Sequence, residues 1–208
     1  MSEFFEPPAP PPEPEPEPRQ TPWFGPPGGT LPGVVALELV LAQTERVAVY
    51  VAQLLSYPTG FAFDVIAVSA PGTEEELDPL LFGRHYRRRP RSEEISPEML
   101  RLGVQFSDGT KATNTSGRHF DSDPPPGPVM QPAGGHGGGG SSQQTFWVWP
   151  LPPSGPLSFV CEWPVAEIAL TRQQLDAQII LDAASRAQVL FPDHPPQGHI
   201  YGGVQGLG

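Results

Sequence analysis

From residue 33 onward, apolar and polar side chains alternate in short runs, the period-two signature of half-buried strands. In VVALELVLA, Leu37, Leu39 and Leu41 alternate with Glu38 and Val40. After Gln-Thr-Glu-Arg, the run VAVYVAQLL sets Val47, Val49 and Val51 against Ala48, Tyr50 and Ala52. A third run, FAFDVIAVS from Phe61, follows a Tyr-Pro-Thr-Gly turn. These three predict an antiparallel meander in which leucines face valines across the first connection. The near-continuous apolarity of the middle run predicts a central, well-covered strand. Farther on, Leu100, Leu102, Val104 and Phe106 alternate with Arg101, Gly103 and Gln105. Asp108-Gly109 is a hairpin-turn pair, and the polar return arm TKATNTS reads as an edge strand.

The stretch that carries three of the four tryptophans is QTFWVWPLPPSGPLSFVCEWPVAEIALT, from Gln144 to Thr171. Its two arms alternate about a Pro-Pro-Ser-Gly-Pro corner, which predicts a second hairpin. With Leu151 facing Leu157, Trp149 faces Phe159 and Trp147 faces Cys161. That register puts Trp147, Trp149, Phe159, Cys161 and Trp163 on one buried face, the floor of a core. VAEIAL from Val165 supplies a last short strand or continues the arm before it. Thr171 and Gln174 form a capping-box pattern, and Leu175, Ile179, Ala183 and Ala187 recur at helical spacing. A helix over 172–187 is therefore predicted.

Composition sets the boundaries. The chain has 208 residues with 30 Pro and 23 Gly, and these two are concentrated in tracts. PPAPPPEPEPEP lacks amide donors and carries mutually repelling carboxylates, so residues 1–32 read as a disordered, extended tail. Residues 193–208 read as a second tail. The loops 70–99 and 116–143 read as mobile, the latter because it ends in GGHGGGGSS. What remains, 33–192, predicts a single all-β, mostly antiparallel sandwich of immunoglobulin-like or jelly-roll style. It should have about seven or eight strands and one C-terminal helix.

A net charge of −11 argues against general affinity for nucleic acid or anionic membrane, where surplus Lys and Arg must neutralise phosphate. No basic segment leads into an apolar one at the N-terminus, and no apolar run nears the ~20 residues a spanning helix needs. One cysteine cannot close an intramolecular disulfide. A soluble cytoplasmic protein is the expectation.

The chemistry is sparse. The five histidines (85, 119, 136, 194 and 199) stand in no zinc-ligand spacing, and there is no cysteine pair. His119, Asp121 and Asp123 are close in sequence, a pattern that solvated loop polarity explains. GGHGGGG lacks the lysine and the helix of a phosphate loop, and no Gly-x-Ser-x-Gly elbow occurs. No metal, cofactor or catalytic residue is assigned. Cys161 is expected to be buried and inert. Glu162 and Asp64 lie on strands, where a carboxylate on an apolar face would titrate abnormally; with Glu38 they define an alternative reading as an enzyme built on strand carboxylates.

The leading contact surface is RHYRRRPR, in which Arg84, His85, Tyr86, Arg87, Arg88, Arg89 and Arg91 concentrate forked donors suited to an anionic partner. Flanking Glu74, Glu75, Glu76, Asp78, Glu93, Glu94 and Glu98 can instead neutralise it as a solvated loop. The functional expectation is a non-enzymatic binding module for a protein partner. The alternative is a structural component of a homo- or hetero-oligomeric assembly.

Trp147-x-Trp149-Pro150, then Gly155-x-Leu157-x-Phe159-x-Cys161-Glu162-Trp163-Pro164, Leu175-Asp176 and Asp182-Ala183-Ala184-x-Arg186-Ala187, are similar to small uncharacterised proteins of GC-rich actinobacteria. The resemblance spans roughly Val34 to Pro192. It implies a discrete domain and no particular activity.

Overall fold

The connections between strands, more than the strands themselves, decide how this chain is layered. The computed structural model describes residues 21–73, 95–116 and 123–192. Its strands, in chain order, are β1 (Thr30–Leu31), β2 (Gly33–Gln43), β3 (Val47–Ser56), β4 (Phe61–Ser69), β5 (Arg101–Gln105), β6 (Lys111–Thr113), β7 (Val129–Gly138), β8 (Ser141–Trp149), β9 (Pro156–Trp163), β10 (Ile168–Asp176) and β11 (Gln188–Val189). Among the described residues there is one α-helix, α1 (Gln178–Ser185), between β10 and β11. Among the described residues, no helix is long and apolar enough to cross a membrane.

The expected all-β antiparallel sandwich with a C-terminal helix is what forms. A five-stranded sheet of order β2-β3-β4-β8-β7 faces a four-stranded sheet of order β10-β9-β5-β6, and β1 pairs with β11 in a small third sheet. The two large sheets meet through Phe61, Phe63, Phe146 and Val148 on one side and Leu157, Phe159, Cys161 and Trp163 on the other. Phe63 meets Phe159 edge-to-face at 5.1 Å, stitching sheet to sheet.

The meander β2-β3-β4 follows the expected order. Leu39 faces Val51, but bulges in β2 shift the register so that Ala42, not a leucine, faces Val49. Bulges suit an edge strand because they twist it away from further pairing. β3 lies inside the sheet, between β2 and β4; its inner face is buried, and its outer face is covered only in part, with Ala52 and Gln53 exposed. The β5-β6 hairpin turns through Asp108-Gly109, closed by a Phe106 N–H to Thr110 C=O bond of 2.9 Å. The Thr110 hydroxyl and N–H both donate to the Asp108 carboxylate, at 2.7 and 2.9 Å, and hold its pKa below the ordinary value. β6 is an edge strand, as its polarity predicts.

Four expectations are corrected. The aromatic arms β8 and β9 are not a hairpin: β8 lies between β4 and β7, whereas β9 lies between β5 and β10. Pro150, Pro152 and Pro153 deprive the corner of donors, and the chain crosses from one sheet to the other, beginning with a cis Trp149-Pro150 peptide. Second, the glycine-rich tract within 116–143 is largely strand. Gly138 pairs with Ser141, and Gly139 and Gly140 between them have φ of 61° and 77°, the two-residue turn that only glycine adopts readily. Third, α1 begins at Gln178 and not near 172, because Thr171, Gln173 and Leu175 point inward on β10, which pairs along β9. Fourth, residues 21–31 do not belong to a disordered tail. Residues 21–31 are placed, and Trp23 is 6% exposed. The tracts 1–20, 74–94 and 193–208 lie outside the described residues.

α1 closes one end of the sandwich. Ser56 Oγ donates to the Ile180 carbonyl at 2.8 Å, and Arg186 donates to the Val34 carbonyl at 3.0 Å. The helix approaches β2 so closely that a Cβ on Gly33 would lie 1.9 Å from the Ala183 oxygen. Gly33→Ala should therefore force helix and strand apart and destabilise by about 1–3 kcal/mol. Gly138→Ala, where a Cβ meets open space, should leave the denaturant midpoint almost unchanged.

Candidate binding face

Alternation along β8 sends Phe146 and Val148 into the inter-sheet core and Trp147 and Trp149 to the opposite, outer face of the five-stranded sheet. An outer face normally meets water, yet Trp147 is 0% exposed. The cover is the chain's own segment 21–24. Thr21-Pro22-Trp23-Phe24 is a β-turn with Pro at its second position, closed by a Phe24 N–H to Thr21 C=O bond of 3.0 Å. The Trp147 indole N–H donates to the Pro22 carbonyl at 3.0 Å, and Gln131 Nε2 donates to the Trp23 carbonyl at 3.0 Å. Trp23 meets Trp149 edge-on at 5.6 Å, and Tyr57 meets Trp147 likewise at 5.6 Å. Tyr57, Ala62 and Trp147, with Leu55, Ala133 and Trp149 packed beside them, form a small second core apart from the main one.

Beyond this aromatic half, the same face is more polar. Asp64 sits there, accepting from the Thr145 hydroxyl at 2.6 Å and from Gln53 Nε2 at 3.4 Å. The next row pairs Tyr50 with Ile66, Ile66 with Gln143, and Gln143 with His136. Of these, His136 is exposed and the others are half-buried.

The carboxylates singled out from sequence are not brought together. Asp64 is on the outer face of the five-stranded sheet, and Glu162 is on the outer face of the four-stranded one. Two sheet layers packed about 10 Å apart lie between them. Glu162 is ion-paired to Arg101 on β5 at 2.5 Å, with side chains 31% and 26% exposed. Glu162 therefore sits opposite a guanidinium on an outer face, and Glu38 is exposed on β2. Among the described residues, no group of three or more His, Cys, Asp or Glu is positioned to hold a metal ion. Arg84, His85, Tyr86, Arg87, Arg88, Arg89 and Arg91, between β4 and β5, lie outside the described residues, and so does His119, between β6 and β7.

Phe159, Cys161 and Trp163 do share the buried face of β9, as expected, whereas Trp147 and Trp149 belong to the opposite side of the other sheet. Sequence reasoning missed Gln131, and it left Trp23 in the 1–32 tail, at most touching the domain surface. A signal existed: all of Phe146 to Trp149 is apolar, so β8 needed cover on both faces. Asn114-Thr115-Ser116 also spells an N-glycosylation acceptor. Asn114 is buried, however, accepting from the Leu102 N–H at 2.9 Å and donating to the Leu100 carbonyl at 2.8 Å.

No protein-family model, curated protein or solved structure matches the chain. The class defined by fold and site is an all-β sandwich whose outer sheet face is partly covered by its own N-terminal turn, and the functional reading rests on that geometry.

Burial, followed by the charge of neighbouring Glu162, raises the Cys161 pKa from 9.0 to about 12. A group raised on folding contributes stability that is complete below its unfolded pKa and is lost as pH climbs through the folded one. Wild type should therefore lose more stability than Cys161→Ala between pH 9 and 12, read from urea midpoints. At pH 8 the native thiol should react with iodoacetamide far more slowly than a peptide thiol.

Proposed function

We propose that this protein is a non-enzymatic binding module whose working surface is the outer face of the five-stranded sheet. The observation supporting this is that the face already holds a peptide turn, by side-chain donors aimed at backbone carbonyls and by an inserted tryptophan. Donors that bond carbonyls do not depend on the side chains of the segment they hold, and the polar row beside them leaves contact area for a larger protein partner. The tract Arg84–Arg91 is a second contact region for an anionic partner surface, through forked donors. A lone, buried thiol fits a cytoplasmic setting.

The alternative, a structural component of an assembly, draws on one feature. Leu31, Val34, Val189, Leu190 and Phe191 are each at least 50% exposed, and β1 and β11 bring two of them, Leu31 and Val189, to the same small sheet.

Capture of partners by the intact chain, each identified and re-tested as a purified protein, separates these readings. Gln143→Lys should weaken capture without moving the thermal midpoint. Arg87, Arg88 and Arg89 together replaced by Ser should weaken it in a salt-sensitive way. Capture unchanged in both variants removes the binding-module reading. A mass that rises with protein concentration in sedimentation, without a partner, favours the assembly.

A further inference from the structure

The segment covering the outer face is attached unlike a strand of the sheet. It is a single turn, followed by Gly25-Pro26-Pro27-Gly28-Gly29 before β1 begins. Trp23 is its anchor, 6% exposed, while the Pro22 ring faces solvent. Proline here presets the turn and fills no pocket. The receiving rings Tyr57, Trp147 and Trp149 belong to the small second core, and buried Gln131 donates beside them. On the far side of the same sheet, Phe61, Phe63, Phe146 and Val148 belong to the inter-sheet core, so removing the turn leaves that core closed.

We propose that Tyr57, Gln131, Trp147 and Trp149 form a peptide-docking groove whose ligand is a proline-led turn presenting a tryptophan, and that residues 21–24 occupy it in cis. This deepens the binding-module reading and rests on it. The two donors fix the path of the ligand backbone through the carbonyls equivalent to Pro22 and Trp23. The edge-on contact with Trp149 selects a large flat ring, the residue type that dominates anchored peptide recognition. A tether this short holds the internal turn at an effective concentration on the order of millimolar. The intact chain therefore keeps the groove closed to weak competitors. Displacement or cleavage within residues 25–29 opens it to the same turn on another protein.

The test uses the full chain carrying a specific protease site between Gly28 and Gly29, and a labelled peptide PRQTPWFGPP that reproduces residues 18–27. After cleavage and dilution, the N-terminal fragment should leave, the rest should keep its near-ultraviolet circular dichroism, and the peptide should bind one-to-one. Trp147→Phe, which removes the indole donor, should weaken that binding about fivefold. The peptide with Trp replaced by Ala, and PPAPPPEPEPEP from the tail, should not bind. The uncut chain should bind the peptide at least about tenfold more weakly, and uncut Trp23→Ala should recover much of the difference. A fragment that stays bound without exchanging with peptide overturns the proposal, as does unfolding when it leaves. A folded Trp23→Ala chain that ignores the peptide also overturns it. Equal binding of PPAPPPEPEPEP overturns the assigned ligand class. None of these outcomes touches capture of a partner through the polar rows or the arginine tract, so the wider reading fails or stands separately.

Discussion

Strand β8 has apolar side chains on both faces, and the architecture follows from covering them. Phe146 and Val148 are buried against β9, and Trp147 is buried beneath the turn at Trp23. A strand so built is unstable at an edge or on an open face, because each large side chain left in water forfeits about 1.5–3 kcal/mol. It sits between β4 and β7, paired on both sides. The glycine hairpin β7-β8 brings β7 beside it. The proline crossover carries the chain away to the opposite sheet, where β9 supplies the facing half of the core.

The two cores are unequal in kind. The inter-sheet core is closed by nine strands of backbone pairing and by ring contacts such as Phe63 with Phe159 at 5.1 Å. The outer-face core is closed by one turn, with two carbonyls accepting side-chain donors. Stability is distributed accordingly: segments with few backbone bonds to the main sheet open at lower free energy than the sheet itself. That difference is what makes the outer face a candidate for exchange and the inner one merely structural. The helix end belongs to the inner type, since Ser56 and Gly33 lock α1 against β2 and β3.

The same layering disperses the carboxylates. Asp64 and Glu162 occupy similar positions in sequence pattern, each a lone acid within an apolar strand, but opposite faces of the molecule. Each is already engaged, Asp64 by Thr145 and Gln53, and Glu162 by Arg101. Acid-base catalysis by paired carboxylates needs both near one bond, with separations of roughly 5–10 Å in the familiar glycosidase arrangements. Two outer faces of a sandwich do not provide that. Recognition of a surface asks for less, namely donors, acceptors and a ring held in fixed places.

By itself, the sequence determined the local elements whose pattern is two-fold and whose turns are chemically explicit. The β2-β3-β4 meander, the Asp108-Gly109 hairpin, the polar edge strand β6 and the buried row Phe159-Cys161-Trp163 were all legible, because alternation and turn residues are local properties. Pairing partners were not. Adjacent arms β8 and β9 satisfied every local rule for a hairpin, and the choice between pairing and crossing over depended on which distant strand offered a better-covered face. Helix spacing at Leu175 likewise lost to strand pairing along β9. Trp23 looked like part of a proline tail, since nothing within residues 21–32 shows that Trp147 lies uncovered on the far side of a sheet. Burial is a property of the assembled surface, so only the tertiary structure decided it.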